Sequence, residues 1–167
     1  MRQQIDALIQ QNGADALWIS GAGQHNSAMV YFTGIAHLTG ADLFVIPGRT
    51  PILCHGPMER DEAAKSGFQL ISYADYDLNA LIKETNGDLG LASALRYKQI
   101  LEGIGLTKGK VLLYGLRDVG PFFAVMQHLQ KLLPELELTD DVNNAILLKA
   151  RATKDEDKID RIRAMGQ

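Results

Sequence analysis

The strongest constraint in this sequence is one short connection. Leu43-Phe44-Val45-Ile46 is an apolar run, Pro47-Gly48-Arg49-Thr50 is turn chemistry, and Ile52-Leu53-Cys54 is apolar again. Proline presets the backbone for a turn and glycine supplies positive φ, so the two runs read as strands joined by a hairpin. A link this short joins only antiparallel neighbours, because a parallel crossover needs roughly a dozen residues or more. The remainder of the chain alternates strand-like and helix-like patterns, which otherwise builds a parallel sheet. A hairpin inside such a chain dictates a mixed sheet flanked by helices, an α/β fold.

The other elements follow from periodicity. Ile5, Leu8 and Ile9 sit at helical spacing before Asn12-Gly13. Ala16-Leu17-Trp18-Ile19 is too short for a helix and reads as a strand buried on both faces. Residues 20 to 40 carry Gly21, Gly23, Gly34, Gly40, two histidines and several hydroxyls, and read as a long loop with one helical turn around Ala28 to Tyr31. Met58 to Lys65 reads as a polar helix ended by Gly67, and Phe68, Leu70 and Ile71 as a strand. Asp77 is placed to cap a helix carrying Leu78, Leu81 and Ile82. Tyr97, Ile100, Leu101 and Ile104 line one helix face, Val111 to Tyr114 a strand, and Phe122, Val125, Met126, Leu129 and Leu132 the next helix, which Pro134 ends. Leu136 and Leu138 alternate with Glu135 and Glu137, the pattern of an edge strand with one wet face. Past Leu148 the charge density rises. Thr153-Lys154-Asp155-Glu156 is a capping box opening a helix whose thin apolar stripe is Ile159, Ile162 and Met165.

Composition excludes several function classes. The chain has 167 residues, 46% hydrophobic and 22% charged, with net charge −3. That is the size and make-up of one folded domain with a short appendage. No apolar stretch approaches the ~18 residues of a membrane span. The mild acidity argues against nucleic acid, which needs clustered Lys and Arg. A lone cysteine, Cys54, excludes an intrachain disulfide and points to a cytoplasmic protein.

The residues themselves supply no catalytic constellation. His25, His37, His55 and His128 form no i, i+4 pair and no metal-type cluster. Gly21-Ala22-Gly23 follows a strand, but Asn26 stands where a dinucleotide fingerprint has its third glycine. No G-x-S-x-G is present, and Cys54 inside an apolar strand reads as a core thiol. The first strand lacks the carboxylates a metal-dependent nuclease of the ribonuclease H type would need.

Asn26-Ser27, three residues, then Tyr31-Phe32-Thr33-Gly34 and the strand Leu43 to Ile46 resemble the N-terminal domain of the creatinase/prolidase/aminopeptidase P family. Glu59-Arg60 resembles that family's acidic-basic helix start. Leu148 to Glu156 resembles its linker, an Arg-x-x-Lys-acidic-Glu signature leading into Ile159 and Ile162. The resemblance implies a ribonuclease H-like topology over residues 1–152. Residues 153–167 would then be a linker and the start of the first helix of a separate catalytic domain, so the chain would be a truncated protein. The family's catalytic domain holds two divalent metals, commonly manganese, on two Asp, one His and two Glu, and cleaves the peptide bond before proline. Its N-terminal domain helps form the homodimer and covers the substrate cleft. His25, Asn26, Tyr31, Thr33 and His37 are thereby candidates for substrate-side or interface contacts. Core roles for Tyr31 and Phe32, a turn at Thr33-Gly34 and a solvated Arg151 and Lys154 stand as alternatives. Residues 35 to 42 follow no one branch, which leaves creatinase-like, prolidase-like and aminopeptidase P-like specificity open. A free-standing ligand- or protein-binding domain is the competing class.

Overall fold

A computed structural model describes residues 2–34 and 37–152. The linker and helix expected over 153–167 lie outside the described residues. The elements, in chain order, are α1 (Arg2–Gln11), β1 (Ala16–Gly21), α2 (Ser27–Thr33), β2 (Ala41–Val45) and β3 (Ile52–His55). They continue with α3 (Arg60–Ala64), β4 (Gln69–Ser72), α4 (Leu78–Glu84), α5 (Leu89–Ile104), β5 (Gly109–Leu116), α6 (Val119–Leu132), β6 (Leu136–Asp140) and α7 (Ala145–Ala152).

Six strands form one sheet in the order β4-β3-β2-β1-β5-β6. The hairpin is antiparallel, with Leu43 opposite Leu53, and β2 also runs antiparallel to β1. β5 is parallel to β1, β6 to β5 and β4 to β3. An antiparallel β1-β2-β3 meander flanked by strands parallel to β1 is the expected ribonuclease H-like arrangement, with β4 added at one edge. β6 is the other edge, as its alternating Glu and Leu require.

The pleat sorts the core into two layers. Leu17, Ile19, Leu43, Val45 and Leu53 point to one face, where they pack with Ile5 and Ile9 of α1, Met29 of α2 and Ile146 of α7. Trp18, Phe44, Ile52, Cys54 and Val111 point to the other, beneath Ile100 and Leu101 of α5 and Leu129 of α6. Trp18 is fully buried, with the rings of Phe44 and Tyr97 at 5.1 and 4.9 Å. Cys54 is a buried free thiol; burial, then the neighbouring Asp42 charge, push its pKa well up, so it is inert core as expected.

Three elements differ from the sequence reading. The helical turn expected around Ala28 to Tyr31 is a longer helix, because Asn26 caps its start and Gly34, at φ 70°, ends it. The polar helix expected over Met58 to Lys65 is divided into a 3-10 turn, Pro57–Glu59, and the short α3. Proline at the start favours the turn but contributes no N–H to a continuous ladder. Finally, β2 begins at Ala41, two residues before the apolar run that marked it, so Asp42 lies inside the sheet. Among the described residues no helix is long and apolar enough to cross a membrane.

Candidate functional site

The loop and α2 gather three of the five candidate residues. His25, Asn26 and Tyr31 border a shallow cavity of about 310 Å³ with Arg151 of α7. Asn26 sits at the helix start, where its side chain accepts from the Met29 N–H at 3.2 Å and donates to the Ser20 carbonyl at 3.1 Å. One residue thus caps α2 and ties it to the end of β1. His25 precedes it at φ 61°, a left-handed conformation that leaves its side chain exposed. The Tyr31 hydroxyl donates to the Ala150 carbonyl at 3.0 Å, and Arg151 donates to the Ser27 carbonyl at 3.0 Å. α2 and α7 are therefore locked together by reciprocal side-chain bonds.

Thr33 and His37 stand apart from this cavity. Thr33 is buried, and its hydroxyl donates back to the Met29 carbonyl at 2.8 Å, closing the last turn of α2. Tyr31 and Phe32 are half-buried against the core, their rings edge to face at 5.2 Å. His37 is exposed. The hydrogen bond from Lys65 is the main influence holding Glu62 below the usual carboxylate range. Glu59 accepts a hydrogen bond from the Thr39 N–H, which ties the 3-10 turn to the same loop.

A second polar assembly lies inside the sheet. Asp42 is fully buried on the α5/α6 face, with Ser20 opposite it on β1 and Cys54 on β3. Its Oδ1 accepts from Trp18 Nε1 at 2.7 Å and from the Ser20 hydroxyl. Its Oδ2 accepts from the Tyr97 hydroxyl at 2.9 Å, from the Tyr73 hydroxyl, and from Arg117 Nη2 at 3.3 Å. Arg117 Nε also donates to Ser20 Oγ at 2.8 Å. A buried carboxylate is tolerated when a counter-charge and donors fill its lone pairs, and both conditions hold here. Burial, followed by the Asp42 charge, drives the pKa of Tyr73 and of Tyr97 well up, so both stay neutral donors. Burial opposes the Arg117 charge, but Asp42 and the tyrosines outweigh it and the guanidinium pKa rises.

The backbone is shaped to admit Arg117. Gly115 of β5, at φ 127°, lies so close to β1 that a Cβ there would stand 1.9 Å from the Ser20 carbonyl oxygen. Gly21 of β1, at φ 117°, faces the Leu116 carbonyl in the same way. Only glycine fits at these two positions, and Arg117, two residues after Gly115, donates to Ser20 Oγ.

The architecture matches solved domains. The N-terminal domain of an X-Pro dipeptidase from Streptococcus pyogenes is similar at TM-score 0.57 and 15% identity, over 86% of this chain and 94% of that one. A dipeptidase from Pyrococcus horikoshii OT3 is similar at TM-score 0.60 and 18% identity. The chain has the creatinase/prolidase N-terminal fold. The X-Pro aminopeptidase of Thermotoga maritima MSB8 shares it at TM-score 0.61 and 14% identity, over 96% of this chain. The chain spans 38% of the length of that aminopeptidase and of the P. horikoshii dipeptidase. No family model and no curated protein sequence matches the chain.

Within this creatinase/prolidase-type fold, sequence reasoning missed Asp42, Tyr73 and Arg117, and read Tyr97 only as part of an apolar helix face. Their signal is thin: an Asp just before an apolar run, and an Arg between a strand and a Pro-containing helix start. Among the described residues no three His, Cys, Asp or Glu converge in a way that could hold a metal ion. The metal pair implied by the resemblance therefore has no donor set among them.

Proposed function

We propose that this chain is the N-terminal domain of a metal-dependent Xaa-Pro peptidase, of the aminopeptidase P or prolidase type, that hydrolyses the bond preceding proline. The observation that carries this reading is the match to a separate N-terminal domain of an X-Pro dipeptidase, extending over nearly all of that domain. The linker-like residues Arg151 to Glu156 agree with it. On this reading the metal ligands belong to a further domain, two divalent ions such as manganese serve the full-length enzyme, and a proline-containing peptide is its substrate. The domain helps form a cytoplasmic homodimer and covers the cleft. His25 and the half-buried ring of Tyr31 beside one cavity, with His37 exposed nearby in sequence, are the side chains offered to substrate or partner. Asn26 and Thr33 are not, because both are buried with their side-chain polar atoms committed to backbone.

The test is an assay of the complete gene product beside the 167-residue chain, with manganese and Xaa-Pro dipeptides, reading released proline. The full product is expected to hydrolyse them in a chelator-sensitive manner, and the chain alone to be inactive. Chelator-sensitive turnover by the chain alone overturns the reading. So does a downstream frame that lacks Asp, Asp, His, Glu and Glu in that order.

A further inference from the structure

Where β1 and β5 end, α5 and α6 begin side by side on the same face of the sheet. Their first turns flank a cavity of about 460 Å³. Leu89 and Ser93 line it from α5, and Pro121, Phe122 and Val125 from α6. Two guanidinium groups, Arg96 and Arg117, also line it. This is the end of an α/β sheet at which ligands commonly bind, close to helix N-termini whose N–H groups favour negative charge.

The two arginines are held in different ways. Arg117 is anchored from beneath by Ser20 and Asp42, its side chain is 33% exposed, and its Nη1 has no partner among the described residues. Arg96 stacks 4.9 Å over the Tyr73 ring. Its Nε is buried and hydrogen-bonded to nothing, an uncommon state for so polar an atom. Asp42 already balances Arg117, whereas Arg96 has no ion pair among the described residues. The first turn of α6 lacks a side-chain cap: Asp118 stands at its start without accepting a helix N–H. Asp118 also lines the cavity and is its negative group.

We propose that this cavity binds the carboxylate of a small ligand with an apolar body. The carboxylate pairs with Arg96 and the free edge of Arg117 at the start of α6, and the body lies on Leu89, Pro121 and Phe122. A carboxylate has two oxygens to share between the two guanidinium groups and brings only one negative charge toward Asp118. A phosphate dianion would remain under-compensated and would face Asp118. The site is distinct from the His25–Tyr31 cavity and needs nothing from the peptidase reading.

The test uses the 167-residue chain and three probes, benzoate, benzamide and inorganic phosphate, followed through the arginine Nε–H signals by NMR. Benzoate is expected to shift the Arg96 and Arg117 signals saturably, with benzamide and phosphate at least about tenfold weaker, the scale of one charge-assisted hydrogen bond. Arg96→Gln is expected to weaken benzoate by about tenfold or more and Arg96→Lys by less, while Asp118→Asn tightens it. Because Arg96→Gln also removes the stacking on Tyr73, its thermal midpoint is measured alongside. Asp118→Asn, at an exposed position, supplies a variant outside the core. Equal binding of benzoate and benzamide, tighter binding of phosphate, or benzoate binding that leaves both arginine signals unmoved overturns the proposal. So does benzoate affinity unchanged by both Arg96→Lys and Asp118→Asn.

Discussion

The loop around α2 and the assembly around Asp42 are both polar, yet they use polarity differently. In the loop each side chain serves nearby backbone: Asn26 caps α2 and holds the end of β1, Thr33 closes the last turn, and Tyr31 reaches the Ala150 carbonyl. These bonds fix where two helices lie. Around Asp42, one carboxylate collects side chains from β1, the 3-10 turn Tyr73–Asp75, α5 and the β5–α6 junction. They do more than satisfy a buried charge: they hold Arg117 at the surface with one edge free. Polar density along the chain marks a loop, whereas polar convergence in space marks the point where the layers are joined.

That contrast can be broken by measurement. Asp42→Ala is expected to destabilise the chain by about 3–5 kcal/mol, because it leaves Arg117 without its buried partner and strands several donors. Urea unfolding measures it. Asp42→Asn should be milder, since an amide oxygen still accepts from Trp18 and Ser20. Alkaline pH gives the next effect. The folded pKa values of Tyr73 and Tyr97 are raised, so above about pH 10 the unfolded chain loses protons that the folded chain keeps. Their contribution is fully present below that pH and is lost as pH rises toward the folded values. Stability measured between pH 9 and 11, roughly bracketing the free tyrosine pKa, should fall, and Tyr73→Phe with Tyr97→Phe should flatten the slope. The smallest effect belongs to the loop: Asn26→Ala is expected to cost about 1 kcal/mol as a lost cap. A loss at Asn26 equal to that at Asp42 would erase the distinction between the two regions.

Much of this fold is legible in the sequence because the apolar spacing states it. The hairpin forced a mixed sheet, Tyr97, Ile100, Leu101 and Ile104 all proved buried on one face of α5, and the Glu-Leu alternation marked β6 as an edge. The Asp42 assembly was not legible for a physical reason. Asp is normally disfavoured in a strand, so the apolar run starts the strand only at Leu43 and leaves Asp42 outside it. Its place in β2 depends on Trp18, Tyr97 and Arg117, separated from it by 24, 55 and 75 residues. No local pattern carries such an arrangement. Of the candidate residues, Asn26 and Tyr31 belong to the family-like motif and His25 directly precedes it, and all three border one cavity. Thr33 shares the motif but turns inward, because a threonine near the end of a short helix can satisfy its hydroxyl on the preceding turn.

The most direct test of the Asp42 account is a double-mutant cycle in urea with Asp42→Asn and Arg117→Gln. If the buried carboxylate acts by holding Arg117, the two changes couple by about 1–3 kcal/mol, with the double variant losing less than the sum of the single losses. Losses that add to within about 0.5 kcal/mol would show that the two residues act independently, and would contradict it.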